Sequence, residues 1–127
     1  MPGHAPGRWG FHSLDSRFAT WLVAEAGVRP GDLVLDLGAG TGSLTGPLLA
    51  AGASVVAVEL HPGRAAELRQ LYAGARVLVV QVDAADLRLP RRPFKVVANP
   101  PFSITAGIVR RLLGNGSRLV SAHLVVP

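Results

Sequence analysis

Two short segments set unusual residue types directly after aliphatic runs: Gly38-Ala39-Gly40-Thr41-Gly42 follows "LVLDL", and Asn99-Pro100-Pro101-Phe102 follows "KVVA". Glycine weakens strands and helices, so three at alternate positions imply a main chain that turns sharply and comes close to a ligand. The N–H groups that open the next helix are then candidates to hold an anionic group. In the second segment, Pro100 biases Asn99 to extended geometry, and two fixed φ angles hold the following carbonyls in place. The Asn99 side-chain oxygen and the Pro100 carbonyl suit the two N–H bonds of an aromatic amine. Such an amine is a poor nucleophile because its lone pair is delocalised into the ring. Accepting both N–H bonds favours a pyramidal nitrogen whose lone pair points at an electrophilic methyl group. Phe102 is placed to stack on a base turned out of its helix. Such a site works by positioning, and the alkylated amine loses its proton to water.

Three carboxylates extend the pattern. Glu59 ends the second aliphatic run about twenty residues past the glycines, where a carboxylate accepts two ribose hydroxyls, with Leu60 beside it. Asp36 lies just ahead of the loop and suits an ammonium group, met directly or through water. Asp83, in "VDAADL", suits the exocyclic amine of an adenine, with the Ala84 N–H offered to a ring nitrogen. Asp83 or Asp86 serves equally well as a helix cap or Asx-turn. A nicotinamide-binding loop has the spacing Gly-x-Gly-x-x-Gly, which differs from the spacing here. An acid poised for an ammonium group favours an amino-acid-bearing cofactor, S-adenosylmethionine, over a pyrophosphate.

These residues need a frame to carry them. The runs 33–37, 54–60, 76–82, 95–100 and 118–126 are short, β-branched and apolar on both alternating faces, as strands covered on both sides are. Helices are expected over 42–51, 62–72 and 104–113, with mostly loop between Asp83 and Pro93. An earlier amphipathic helix follows an N-cap at Ser13 or Asp15, with Phe18, Leu22, Val23 and Ala26 on its apolar face. This alternation predicts a doubly wound, mostly parallel α/β sheet, whose ligands bind beyond the carboxyl ends of the strands. Residues 1–13 are expected to be a flexible arm and 14–127 one cofactor-binding domain. The fifth run has nothing after it to cover that sheet edge, so the chain is expected to lack further elements.

Composition narrows the class. The chain has 127 residues, 49% of them hydrophobic, and no cysteine, which sets aside disulfides and thiolate metal sites. No run approaches a membrane span and no signal-peptide core precedes residue 13, so a cytoplasmic protein binding neither membrane nor metal is expected. The net charge of +5 comes from twelve arginines and one lysine against eight acids. It suits an anionic polymer such as RNA, or reflects an Ala/Gly/Pro/Arg-rich composition. Arg110-Arg111 and the cluster Arg88, Arg91, Arg92 and Lys95 are candidate phosphate contacts, with a solvated charged surface as the competing reading.

"ANPPF" resembles motif IV of the amino-methyltransferases, and "ANPPFSITAGIVRRLL" resembles the ribosomal-RNA adenine N6-methyltransferases, in particular the erythromycin-resistance (Erm) branch. "LDLGAGTGSLT", "VVAVELHP" and "VDAADL" are similar to that family's cofactor motifs, in order and spacing, so that the likeness covers about residues 9–127. The resemblance implies a Rossmann-like class I methyltransferase fold that uses S-adenosylmethionine. It implies that Gly38, Ala39 and Gly40 hold the methionine part of the cofactor, Glu59 its ribose and Asp83 its adenine, with Asn99 against the target amine. A monomer acting on an adenine of 23S rRNA, with macrolide, lincosamide and streptogramin B resistance as the outcome, is the expectation it carries. Where the family has a Ser-Gln-Asn-Phe-Leu-like segment lining the cofactor pocket, this chain has "WGFHSL", so His12 and Leu14 stand in for it without the Gln-Asn pair. Family members continue into further strands and a helical RNA-holding domain. Two alternatives stay open: the same amine chemistry on a protein glutamine or DNA base, and a fragment that binds cofactor or RNA without turnover.

Overall fold

The computed structural model describes residues 14–101 and 105–125. Its elements run α1 (Ser16–Glu25), β1 (Leu33–Leu37), α2 (Thr45–Ala50), β2 (Ser54–Val58), α3 (Pro62–Leu71), β3 (Val77–Val80), a single 3-10 turn (Ala84–Asp86), β4 (Phe94–Ala98), α4 (Thr105–Leu112) and β5 (Leu119–Leu124). The five strands are parallel in the order β3-β2-β1-β4-β5. Chain direction across the sheet therefore reverses between β1 and β4, so the segments after those two strands emerge side by side at one rim. This is where parallel α/β sheets open a ligand crevice. Both segments singled out by residue type leave the sheet at this point.

Alternation along each strand separates two cores. Val34, Val55, Ala57, Val79 and Val97 pack under Ala19, Leu22, Val23, Leu48, Ala65 and Leu68 of α1, α2 and α3. Leu35, Leu37, Val58, Phe94, Val96 and Ala98 face Ile108 and Leu112 of α4 together with Ala84 and Leu87. Every central strand is thus covered on both sides, which accounts for its lack of a polar face. The expected Asp15 cap is present, its Oδ1 accepting from the Arg17 N–H at 2.8 Å. Two expectations change. Ala19 takes the buried place in α1 expected of Phe18, which is 40% exposed and stacks on Trp21. The second helix begins at Thr45 instead of Gly42, because the left-handed Gly42 (φ +89°) cannot sit in a right-handed turn.

At the opposite pole of the sheet, Lys95 at the start of β4 donates to Asp32 Oδ2 (2.8 Å) and to the Gly27 carbonyl (3.0 Å). It pins the α1–β1 turn and, with the Arg29 N–H, holds the Asp32 carboxyl below its ordinary value. Lys95 is accordingly a structural ion-pair partner. None of the described helices is long and apolar enough to cross a membrane.

Candidate active site

The glycine loop is built inward. The Gly38 and Ala39 N–H groups both donate to the Val58 carbonyl (2.8 and 3.0 Å), and the Gly40 N–H donates to Glu59 Oε1 at 2.7 Å. These three loop amides are thus taken up by protein acceptors, while the N–H groups that open α2, the ones expected to hold an anion, have no side-chain cap. Glu59 Oε2 in turn accepts the His61 N–H at 2.8 Å. The buried Glu59 carboxylate therefore staples the β1–α2 loop to the β2–α3 junction. Each oxygen uses one of its two acceptor positions, which leaves one on each.

The loop touches the Asn-Pro-Pro segment directly. Gly38 has φ +73°, and a Cβ built on it would lie 2.6 Å from Pro101 Cδ and 3.5 Å from Pro100 Cα. Only a residue without a side chain fits against the rigid Pro101 ring in that conformation. Asn99 follows β4 at the same rim, partly buried, with Oδ1 withdrawn from solvent. Leu60 is 46% exposed immediately past Glu59. Asp83 caps the 3-10 turn, Oδ1 accepting from the Ala85 N–H at 2.9 Å, so the capping reading holds for that oxygen. Ala84 is buried beside it.

Four sequence candidates lie elsewhere. Asp36 alternates to the same face as Val34 and is sealed beneath α2, 1% exposed, accepting the Thr45 hydroxyl at 2.8 Å. The structure does not bring it to the rim. Leu14 packs against the core under α1. Arg111 turns back onto the 3-10 turn, its Nη1 donating to the Ala85 (2.8 Å) and Ala84 (3.3 Å) carbonyls, while Arg110 is exposed on α4. His12 and Phe102 lie outside the described residues. The residues missed from sequence are Thr45 and Tyr72, whose hydroxyl donates to the Gly42 carbonyl at 3.3 Å. No local pattern marks Thr45 or Tyr72.

Burial is the main cause that raises the Asp36 carboxyl to about 7; the Thr45 hydroxyl opposes this and the neighbouring Glu59 charge adds to it. The Tyr72 hydroxyl is also raised, mostly by burial and then by Asp36. Because the folded value of Asp36 lies above its unfolded 3.8, the folded chain holds the extra proton between about pH 4 and 7. Stability then falls as pH rises through that window and levels off above it. Asp36→Asn, which keeps an acceptor for Thr45, is expected to be more stable than the unmutated chain by about 4 kcal/mol at pH 8. That advantage fades toward pH 4, and thermal melts at both pH values check it; a difference that does not vary with pH would refute the assignment.

A parallel sheet whose reversal point joins a glycine loop, a strand-end glutamate and an Asn-Pro-Pro turn is the class I methyltransferase fold. The model of the ribosomal RNA adenine dimethylase family matches residues 10–127, and the chain belongs to that family. It is 42% identical over 115 residues to ribosomal RNA small subunit methyltransferase A of Thermosynechococcus vestitus, a match covering 87% of this chain and 43% of the relative. It is 41% identical over 102 residues to the rRNA adenine N-6-methyltransferase of Bacteroides fragilis, covering 80% and 38%. Among solved structures, the 23S rRNA methyltransferase ErmE superposes with a TM-score of 0.81 at 30% identity, covering 89% of this chain and 46% of that one. The chain thus spans less than half the length of these proteins.

Proposed function

We propose that the chain forms the cofactor-binding and amine-positioning part of an rRNA adenine N6-methyltransferase, with S-adenosylmethionine as methyl donor. The observation that carries this reading is the close approach of Gly38 to the Pro100-Pro101 segment, which leaves no room for a Cβ. It sets a cofactor loop and an amine-binding turn edge to edge at the sheet's reversal point. The donor set fits this cofactor better than a dinucleotide. The Gly38, Ala39 and Gly40 amides that a pyrophosphate would need are spent on Val58 and Glu59. What remains at the rim are the two open acceptor positions of Glu59, suited to a pair of ribose hydroxyls, and the second oxygen of Asp83, suited to an adenine amine beside the Ala84 N–H. S-adenosylmethionine supplies an electrophilic methyl group on a sulfonium.

The chain's own residues do the rest. Asn99 Oδ1 and the Pro100 carbonyl accept the two N–H bonds of the target amine, pyramidalise its nitrogen and aim its lone pair across the rim. Phe102 stacks on the flipped base. As the new N–C bond forms, the carbon–sulfur bond breaks and the amine's surplus proton passes to water. His12 and Leu14 are held here as cofactor contacts by family resemblance, whereas Asp36, buried against Thr45, is not carried over as a direct contact. Arg110 and Arg111 are held as RNA contacts.

The large-subunit target of the Erm branch, with its resistance outcome, is the first reading, supported by the likeness to ErmE. A small-subunit adenine is the second, supported by relatives of 40–43% identity that carry the small-subunit name. Incubation with tritiated S-adenosylmethionine and, in parallel, naked 23S and 16S rRNA separates them. Label in N6-methyladenine of 23S RNA is the expected result. Label in 16S RNA alone selects the second reading, and label in neither, with cofactor bound, rejects both.

A further inference from the structure

The charge excess of this chain is entirely local. Residues 1–86 carry six basic and eight acidic side chains, whereas residues 87–127 carry seven basic and no acidic ones. Part of that excess is folded into a cavity of about 600 Å³ between the segment leading into β4 and the α4–β5 turn. Arg91, Arg111, Arg118, Asn115 and Ser117 line it, and among the described residues no carboxylate does. The Phe94 N–H donates to the Arg118 carbonyl at 3.2 Å, which places this cavity at the amino ends of β4 and β5. Its Arg118 side is therefore one strand length, roughly 16 Å, from Asn99 at the carboxyl end of β4, while its Arg111 side abuts the Ala84–Asp86 turn.

Two of the three guanidinium groups are held in place. Arg118 Nη1 donates to the Arg91 carbonyl at 3.0 Å, and Arg111 Nη1 donates to the Ala85 and Ala84 carbonyls. A guanidinium has five N–H donors, so each keeps donors for a further acceptor. Orienting these heads by carbonyl contacts removes much of the ordering cost of binding an anion. Forked donors next to neutral amide and hydroxyl donors match the oxygens of a phosphodiester. The volume is ample for one phosphate with its flanking sugars. A carboxylate-bearing protein surface would use the charge but not the forked donor geometry.

We propose that this cavity is a second RNA-binding site, which grips a backbone phosphate of the substrate RNA remote from the methyl-transfer rim. It rests on the reading that the substrate is RNA. The test is fluorescence anisotropy of the 127-residue chain with a labelled rRNA hairpin across a salt series, without cofactor. Arg91→Gln/Arg118→Gln is compared with Arg76→Gln, an exposed arginine on the α3–β3 connection, after circular dichroism confirms that both variants are folded. Loss of this phosphate contact is expected to weaken binding on the order of tenfold at 50 mM salt and fourfold at 200 mM, and to flatten the log–log salt slope by about 0.7. The Arg76 variant should stay within about twofold.

Equal losses in both variants, or an unchanged slope in the double variant, overturn the proposal. Inorganic phosphate and poly-glutamate at matched ionic strength distinguish other anions. RNA displaced by millimolar phosphate from the unmutated chain would make a free anion the occupant, and displacement by poly-glutamate would make it an acidic protein. Either result overturns the RNA assignment. No methyl transfer is read, so failure here leaves the methylation assay to stand or fall by itself.

Discussion

Asn99→Ala is expected to leave the chain folded, with S-adenosylmethionine bound within a few-fold of the unmutated affinity, and to lower methyl transfer on the order of 100-fold. The proposed role of Asn99 belongs to the reacting amine, so its loss falls on the chemical step. A residue acting only as a rigid strand ending would lose stability and cofactor affinity together. Asn99→Asp sharpens the comparison. It keeps an oxygen acceptor toward the amine and should retain more activity than the alanine variant. Calorimetry of cofactor binding and single-turnover transfer to rRNA read the two effects separately. An alanine variant with unimpaired transfer would remove Asn99 from the mechanism.

Gly38→Ala has the second large effect, through sterics. A left-handed conformation costs a residue with a Cβ about 1–2 kcal/mol. The added methyl also meets Pro101 Cδ at 2.6 Å, and the Pro101 ring cannot rotate away. A total loss of about 2–4 kcal/mol is expected, with cofactor binding and transfer both impaired because the loop and the Asn-Pro-Pro turn are forced apart. Gly74→Ala serves as control: its φ is +81° and nothing lies within 4 Å of the added Cβ, so it carries only the conformational cost. Pro101→Ala in the Gly38→Ala background should recover part of the loss, as expected when two residues share one contact. Denaturant melts of these three variants and the unmutated chain check this. Equal losses at Gly38 and Gly74 would mean that the Pro101 contact has no energetic weight.

Both predictions depend on a juxtaposition that residue types suggested and long-range packing produced. The strand runs, their order with the helices and the Asp15 cap were all legible, because each is set by spacing within a few residues. The ends of the helices were less so: α2 begins at Thr45 because a left-handed glycine precedes it.

The sequence by itself determined the parallel α/β frame and the residue types at the carboxyl ends of β1, β2 and β4, since alternation and glycine or proline chemistry are local properties. The tertiary structure alone decided what those residues touch. Glu59 meets Gly40 nineteen residues away, and Arg111 meets the Ala85 carbonyl across twenty-six. Asp36, read as open to a ligand, is buried against Thr45 because the face it alternates to is the one that α2 covers. Pairings of this kind follow from strand order and register, which depend on how the whole sheet is assembled and leave no mark in any short stretch of chain.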